Sequence, residues 1–455
     1  MSATMSAVRG AGAAECVRHA AASLVAALAG LSDGISDAQG PRLIALDEVR
    51  GSVESGPQMA ELIDLIAGLE RVKDAACAAQ AELAVRFSDA TECAQRERGV
   101  ALERAGRGVA EQVALARGVS PHQGRVLLGA AKALVREMPQ TLAALREGRL
   151  NERRAIIAVQ ETCCLEAEDR AYVDGEIAKA AAAEDLGERK LRAMICQMTY
   201  KRDGQAVLRR LEKAESERHV SIRPAADQMV WLTALLPLAQ GVACFAALRD
   251  AARSAVVRGD GRGRGQTMAD TLVERVTGRT AAVAADVELQ VLISDAALLG
   301  ASEEPAVLQG QGPVPVAWVR RLLRDATEEQ RIMLRQAFAA DGRLVAMESR
   351  ARLVPAGLRR FLGARDQRCR TPLCDAPIRE ADHVTPWRSG GQTGVDNVQG
   401  LCRACNMARE APGWRAVVSG HDGQITVVTP TGHRYVSREP TLPMAPSSDE
   451  VAQPP

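Results

Sequence analysis

Residues 369–374 read CRTPLC, residues 381–397 read ADHVTPWRSGGQTGVDN, and residues 401–409 read LCRACNMAR. Four of the 11 cysteines fall here, as Cys369-x4-Cys374 and Cys402-x2-Cys405, with 27 residues between the pairs. Two close pairs split by a longer loop have the spacing of a four-thiolate zinc knuckle. Such a cluster holds together a segment too short to fold on apolar contacts alone. The neighbours Arg368, Arg370, Arg403 and Asn406 are polar, which argues against four reduced core cysteines. The stretch is expected to form a small α+β unit. A short strand ends at Asp382-His383, Pro386 stops regular structure, and a helix starts at Cys402.

The residue types in this unit point to chemistry. Neighbours on a strand face opposite ways, so Asp382 can hold a cation while His383 addresses a substrate. A carboxylate is a hard oxygen ligand suited to Mg²⁺ or Mn²⁺. A neutral histidine near pH 7 is a workable general base for water. Asn406 offers an amide oxygen as a second ligand opposite Asp382. Asn397 ends the glycine-rich loop and can tie it by backbone hydrogen bonds and orient the histidine ring. Arg409, three residues after Asn406, can clamp a phosphate oxygen. Together these give metal-assisted hydrolysis of a phosphodiester. Two metals then have separate work: structural Zn²⁺ on Cys369, Cys374, Cys402 and Cys405, and catalytic Mg²⁺ or Mn²⁺ on Asp382 and Asn406. Residues 350–410 carry eleven arginines and no lysine against six acidic residues, suited to phosphate contacts and not to base reading. His421 and His433, in the strand-like text that follows, are expected on the surface.

The rest of the chain reads mainly as helix. Its apolar fraction is 47% but its aromatic fraction only 2%, so the core must be built of Ala, Leu and Val. The net charge of +1 is uninformative by itself. Residues 15–31 read as an Ala/Leu helix after a frayed start, and residues 59–118 carry a long amphipathic stripe. Ser120-Pro121 and Pro139 mark helix starts, and His122 falls on the surface of the first turn. Residues 169–181 and 186–212 continue the helices. Residues 219–223 and 287–293 read as strands, and further strand-like text lies within 325–354 and after Trp414. Residues 251–265 hold four arginines among glycines and read as a solvated loop. Residues 231–248 are apolar enough to raise the question of a membrane span. They contain Pro237, Gln240 and Gly241 and are expected to be a buried helix pair around a turn.

The expected organisation is a mainly α region with minor strands over 1–350, breaking near 213–265. The α+β unit follows over 351–438, and a Pro/Ser-rich disordered tail over 439–455. Cys16, Cys77, Cys93, Cys163, Cys164, Cys196 and Cys244 show no paired spacing and are expected to be buried free thiols. Free thiols beside a thiolate metal site, with no secretion signal at the start, fit a cytoplasmic protein with no membrane span.

On the quoted residues the stretch resembles the HNH endonucleases of the treble-clef, ββα-metal superfamily in their four-cysteine form. The matching elements are Cys369-x4-Cys374, Asp382-His383 with Pro386, Gly390-Gly391, Asn397, Leu401-Cys402 and Cys405-Asn406. The resemblance implies His383 as general base, Asp382 and Asn406 as ligands of the catalytic cation, and Asn397 as support for the active loop. Arg409 stands where that family usually has lysine, and Asn406 where many members have a third histidine. Residues 139–155, 265–278 and 291–315 resemble the helical domain of unknown function 222, which supplies no chemistry. The implied partner is DNA, duplex or branched, and the motif does not separate DNA from RNA. One such site cuts one strand per engagement, so a double break calls for a homodimer, for which the helical region has room. The competing reading is a catalytically silent nucleic-acid-binding or interaction protein that keeps the zinc knuckle.

Overall fold

The computed structural model describes residues 56–440 except 182–186, 228, 258–260, 279–290, 325–338, 341–342, 345–347, 350–353 and 420–422. The expected helix over 15–31, His421 and most of the 325–354 text lie outside the described residues. The chain divides into two units, Met1–Leu69 and Glu70–Pro455.

Eight helices open the described part: α1 (Gly56–Glu97), α2 (Val109–Ala116), α3 (Pro121–Arg136), α4 (Pro139–Arg146), α5 (Glu152–Thr162), α6 (Ala167–Ala181), α7 (Glu188–Arg202) and α8 (Gly204–Ser216). Their ends follow local chemistry. Gly99, at φ +80°, interrupts the stripe expected over 59–118. The Ser120 side chain accepts a hydrogen bond from Gln123 N at 3.3 Å, with Pro121 at the first helical position. Asp203 separates α7 from α8 and caps α8 by accepting from Ala206 N at 2.8 Å. The buried Asp174 of α6 accepts from Gln140 N at 2.8 Å and Thr141 N at 2.7 Å, which satisfies two orphan donors at the start of α4. The buried faces meet around Met138, Leu145, Ile177, Leu191 and Ile195, an aliphatic core as the composition requires.

Residues 231–248 differ from expectation. β1 (His219–Pro224) and β2 (Val230–Leu235) form an antiparallel hairpin, and α9 (Leu238–Val257) is a single helix paired with α10 (Arg264–Thr277). Trp231 is 59% exposed, so this text is neither a helix pair nor buried. Strand pairing with residues 219–224 overrode the helix propensity of its Leu and Ala, and Pro237 precedes the helix instead of splitting it. Among the described residues no helix is long and apolar enough to cross a membrane. The free thiols also differ. Cys77 is buried, but Cys93, Cys163, Cys196 and Cys244 are exposed and Cys164 is half-buried, and Cys16 lies outside the described residues.

A three-stranded antiparallel sheet of β3 (Val291–Leu292), β4 (Ala306–Leu308) and β5 (Gly312–Val314) precedes α11 (Val316–Arg324). The C-terminal unit then runs α12 (Ala356–Asp366), β6 (Glu380–His383), β7 (Val398–Leu401), α13 (Arg403–Arg409), β8 (Arg415–Ser419), β9 (Gln424–Val428) and β10 (Arg434–Ser437). β6 pairs antiparallel with β7, setting Val398 opposite His383 and Gln399 opposite Asp382. β8, β9 and β10 form an antiparallel sheet in that order. Leu358 and Leu362 of α12 pack on Val398, while Val384 packs on Ile425 and Val427 of β9. The end of β6 is thus held from two sides.

A buried charge network ties these pieces together. Asp366, at the end of α12, accepts from Arg365 Nε at 2.8 Å, from Arg370 at 3.2 Å and from Gly400 N at 2.7 Å. Arg365 also donates to the carbonyl of Val398 at 2.7 Å, and Arg370 to Ser437 Oγ at 3.1 Å and Gly423 O at 2.7 Å. Glu439 lies 3.5 Å from Arg365 and 3.7 Å from Arg370, so the segment expected to be a loose tail starts with an anchored residue. The helical part also touches this unit. Thr431 Oγ1 donates to Gln112 Oε1 at 3.2 Å, and Arg107 pairs with Glu410 at 3.9 Å. A Cβ on Gly108, at φ +84°, would stand 2.5 Å from the Trp414 Nε1, so only glycine lets α2 start there.

Asp366→Ala leaves two buried guanidinium groups without their shared carboxylate. Removing one partner of a buried pair costs about 3–5 kcal/mol. The variant is expected to release metal from the cysteine cluster at clearly lower urea than the wild type, measured with a zinc-sensitive dye. An unchanged midpoint would show that the network adds nothing to the fold.

Candidate functional site

The four thiols expected to hold a metal converge. The Sγ atoms of Cys369, Cys374, Cys402 and Cys405 all lie within 4.8 Å of one another, and all four residues are buried. Zn–S bonds of about 2.3 Å in a tetrahedron place sulfurs about 3.8 Å apart, and the Cys374 and Cys402 sulfurs are 3.8 Å apart. Cys402 caps α13, its sulfur accepting from Cys405 N at 3.4 Å. Arg370 N donates to Gly400 O at 2.9 Å, joining the first cysteine pair to β7. Among the described residues the one other buried apolar residue in the cluster is Leu401. Sulfur therefore takes the place of a hydrophobic core, and the donor set suits a structural Zn²⁺. Contact with the Cys369 thiol pulls Cys402 below the usual thiol range and pushes Cys405 above it. Four such groups ionise together only when a cation takes up their charge.

His383 closes β6, with its Nε2 2.8 Å from Thr393 Oγ1. Thr393 is 1% exposed and sits where Thr393–Gly394 pairs with Glu348–Ser349. The Asn397 amide is spent on the loop: Oδ1 accepts from Thr385 N at 2.8 Å, and Nδ2 donates to Thr385 O at 3.1 Å and Gln392 O at 2.8 Å. The group on the imidazole is therefore Thr393 and not Asn397. Gly391 explains one of the paired glycines. A Cβ there would meet Thr385 O at 1.9 Å and Asn397 Nδ2 at 2.7 Å, closing the space that the amide needs.

Asp382 faces α13. Arg409, in the last turn of that helix, donates to Asp382 Oδ2 and, at 3.2 Å, to the carbonyl of Val384. Burial pushes the Asp382 carboxyl above its ordinary value, against the pull of Arg409 and His383. Burial likewise pulls the Arg409 guanidinium down, against Asp382. Each partner is thus only partly compensated for lost water. The guanidinium is engaged with protein and not open to a phosphate. Asn406 is half-buried on the same helix, and among the described residues its side chain has no hydrogen-bond partner. Gln399, opposite Asp382 across the β6–β7 pair, is 2% exposed, and its side chain adds to the pull that favours the charged Asp382 carboxyl. Asp382 and Asn406 thus lie on β6 and α13, two elements that pack together.

Sequence reasoning missed Thr393 and Gln399. Thr393 owes its position to pairing with a short strand far upstream, and no spacing rule signals that. Gln399 was readable only once the β6–β7 register was known, since it is the cross-strand neighbour of Asp382. His433 is exposed, as expected.

Comparison with known proteins follows the same division. Residues 69–366 match the family described as a domain of unknown function, DUF222, and residues 367–411 match HNH endonuclease. The uncharacterized protein Rv3776 of Mycobacterium tuberculosis is 28% identical over 183 residues, covering 34% of this chain and 33% of that relative. The chain therefore spans about a third of that relative's length. No solved structure matches.

Purified protein is expected to carry one zinc ion per chain by elemental analysis. Cys405→Ser should lose it and open the C-terminal unit to limited proteolysis, leaving the helical part protected. Full zinc retention in that variant would remove Cys405 from the ligand set.

Proposed function

Because this chain belongs to the DUF222 family and carries an HNH endonuclease domain at residues 367–411, we propose that it is a metal-dependent DNA endonuclease. Its site hydrolyses a phosphodiester at the loop between β6 and β7. The observation that carries this reading is His383. One ring nitrogen is held by a buried hydroxyl, and Nδ1 has no protein partner among the described residues. The mechanism uses the tautomer in which Nε2–H donates to Thr393 Oγ1, which leaves Nδ1 as the base.

In this mechanism the Nδ1 of His383 takes a proton from water as the water oxygen attacks phosphorus. The imidazolium that forms is stabilised by the neighbouring Asp382. Asp382 and Asn406 are the residues to hold Mg²⁺ or Mn²⁺, which supplies charge stabilisation on the scissile phosphate and leaving oxygen. Asn397 keeps the loop in shape around the base. Arg409 orients Asp382, and clamping a phosphate oxygen requires its guanidinium to turn from Asp382 or from Val384 O. One site cuts one strand, and a double break requires a homodimer through the helical region or a second encounter. The protein acts in the cytoplasm on DNA.

One observation favours the competing reading. The carboxylate assigned to the cation already has a guanidinium on it. In a silent nuclease Arg409 would stand permanently for the metal, and the unit would bind nucleic acid without cutting.

Supercoiled plasmid at low salt, with Mg²⁺ or Mn²⁺ or with neither, separates the two. The wild type is expected to nick only with metal. His383→Ala should keep its zinc and lose about 10²–10⁴-fold in rate, the usual worth of a general base. Wild type that binds DNA with full zinc but nicks with neither metal would establish the silent reading. Thr393→Val, which removes the hydroxyl at constant size, should slow nicking roughly tenfold and shift its pH profile, with Thr393→Ser restoring both. An unaltered pH profile in Thr393→Val would reduce Thr393 to a packing residue.

A further inference from the structure

The chain has 4 tryptophans, and one of them stands beside the proposed general base. Trp387 is 39% exposed, with its ring centre 6.1 Å from that of His383 and the planes at 63°. This edge-to-face contact fixes the indole against the imidazole without stacking the two rings. The backbone beneath it is a short 3-10 turn, Trp387–Ser389, entered through Pro386 and left through Gly390 at φ +89°. Ser389 N donates to Pro386 O at 2.8 Å, Gly390 N to Trp387 O at 3.0 Å and Gly391 N to Pro386 O at 3.2 Å. The Asn397 amide clasps both ends of the same loop through Thr385 and Gln392. A rigid turn therefore presents a large apolar ring to water.

Core packing does not account for this ring. Trp414 packs on the cluster of Val384, Ile425 and Val427, whereas Trp387 belongs to none of the apolar clusters formed by the described residues. Arg388, the next residue, is exposed as well. An exposed aromatic followed by a cation, both at the edge of a phosphodiester site, matches the chemistry of a strand with unstacked bases. The base lies on the ring and the phosphate meets the guanidinium. In an intact duplex the faces of the bases are covered by their neighbours, and the indole finds only edges and sugar. We propose that Trp387 is a stacking platform for one unstacked nucleobase next to the scissile phosphate. The favoured substrate is then single-stranded or locally unpaired DNA. The proposal rests on the endonuclease reading and specifies its substrate class. Stacking is tolerant of base identity, so the preference is for unpaired structure and not for sequence.

The test uses full-length zinc-loaded protein and DNA oligonucleotides carrying 2-aminopurine at successive positions. Three forms are compared: a single strand, a duplex with an internal unpaired bubble, and a full duplex. With Ca²⁺ in place of Mg²⁺, fluorescence reads stacking separately from cleavage. One position in the single strand and bubble is expected to change fluorescence on binding. Trp387→Leu should abolish that change and weaken single-strand binding roughly tenfold, while Trp387→Phe keeps most of both. Zinc content and thermal midpoint of Trp387→Leu should match the wild type, since the ring is outside the core. With Mg²⁺ or Mn²⁺, wild type should cut the bubble roughly tenfold faster than the full duplex, and Trp387→Leu should lose the difference. Wild type that cuts, beside Trp387→Leu with the same preference and the same fluorescence response, overturns the platform and leaves the endonuclease standing. Wild type that prefers the full duplex does the same, and an RNA strand cut faster than its DNA counterpart overturns the DNA assignment. Wild type that neither binds nor cuts any of these overturns both.

Discussion

The Asp366 carboxylate, with no exposed side-chain surface, is the point through which the C-terminal unit is assembled. It receives Arg365 from its own helix, Arg370 from the cysteine loop and Gly400 N from β7. Three segments are thereby brought to one place. Burying a carboxylate and two guanidinium groups costs several kcal/mol per ion before pairing. The arrangement is tolerable because nearly every donor has an acceptor: the Val398 carbonyl, Ser437 and Gly423 complete the set. Sulfur ligation and this network divide the work. The thiol cluster joins the loop of residues 369–374 to the start of α13, and Asp366 ties α12 to that loop and to β7, while Arg370 reaches the last strand.

The site inherits its geometry from that frame. β7 is fixed by Gly400 and Val398, and β6 follows by register, so Asp382 lies against α13 and His383 against the loop. The same frame creates an opposition at Asp382. Burial raises the carboxyl, and Arg409 offsets this only in part while itself being pulled down. On the proposed reading, a carboxylate that Arg409 satisfies only in part is the one a metal can take over. A fully satisfied pair would make a stable strut and a poor ligand.

The cysteine cluster was legible in the sequence because ligand geometry imposes spacing. Cys369, Cys374, Cys402 and Cys405 could be read as a unit, and Asp382-His383 could be put at a strand end because Pro386 follows. Charge was less legible. Arg365, Arg370 and Arg409 counted toward a basic patch in the sequence, yet Arg365 and Arg370 are committed to a buried carboxylate and Arg409 to the half-buried Asp382, which composition does not reveal. Thr393 was hidden because its place comes from pairing with residues 348–349. Residues 230–235 were misread for a related reason. Their Leu and Ala favour helix locally, while the partner strand that decides the matter lies outside any local window.

The helical part has its own core, yet it is not merely tethered to the C-terminal unit. Gly108, Gln112 and Arg107 meet Trp414, Thr431 and Glu410, which lie just beyond the helix that carries Asn406 and Arg409. The contact is small and polar, and it depends on a glycine whose replacement would drive a carbon into the indole. Contacts of that size orient a partner more than they stabilise it. The loop of residues 385–392, with Trp387 and Arg388, is made of different residues from those that meet the helical part. A unit of so few residues has little surface with which to choose a substrate. Under the proposed function, being held by one face leaves the other, with this loop, for a nucleic-acid strand.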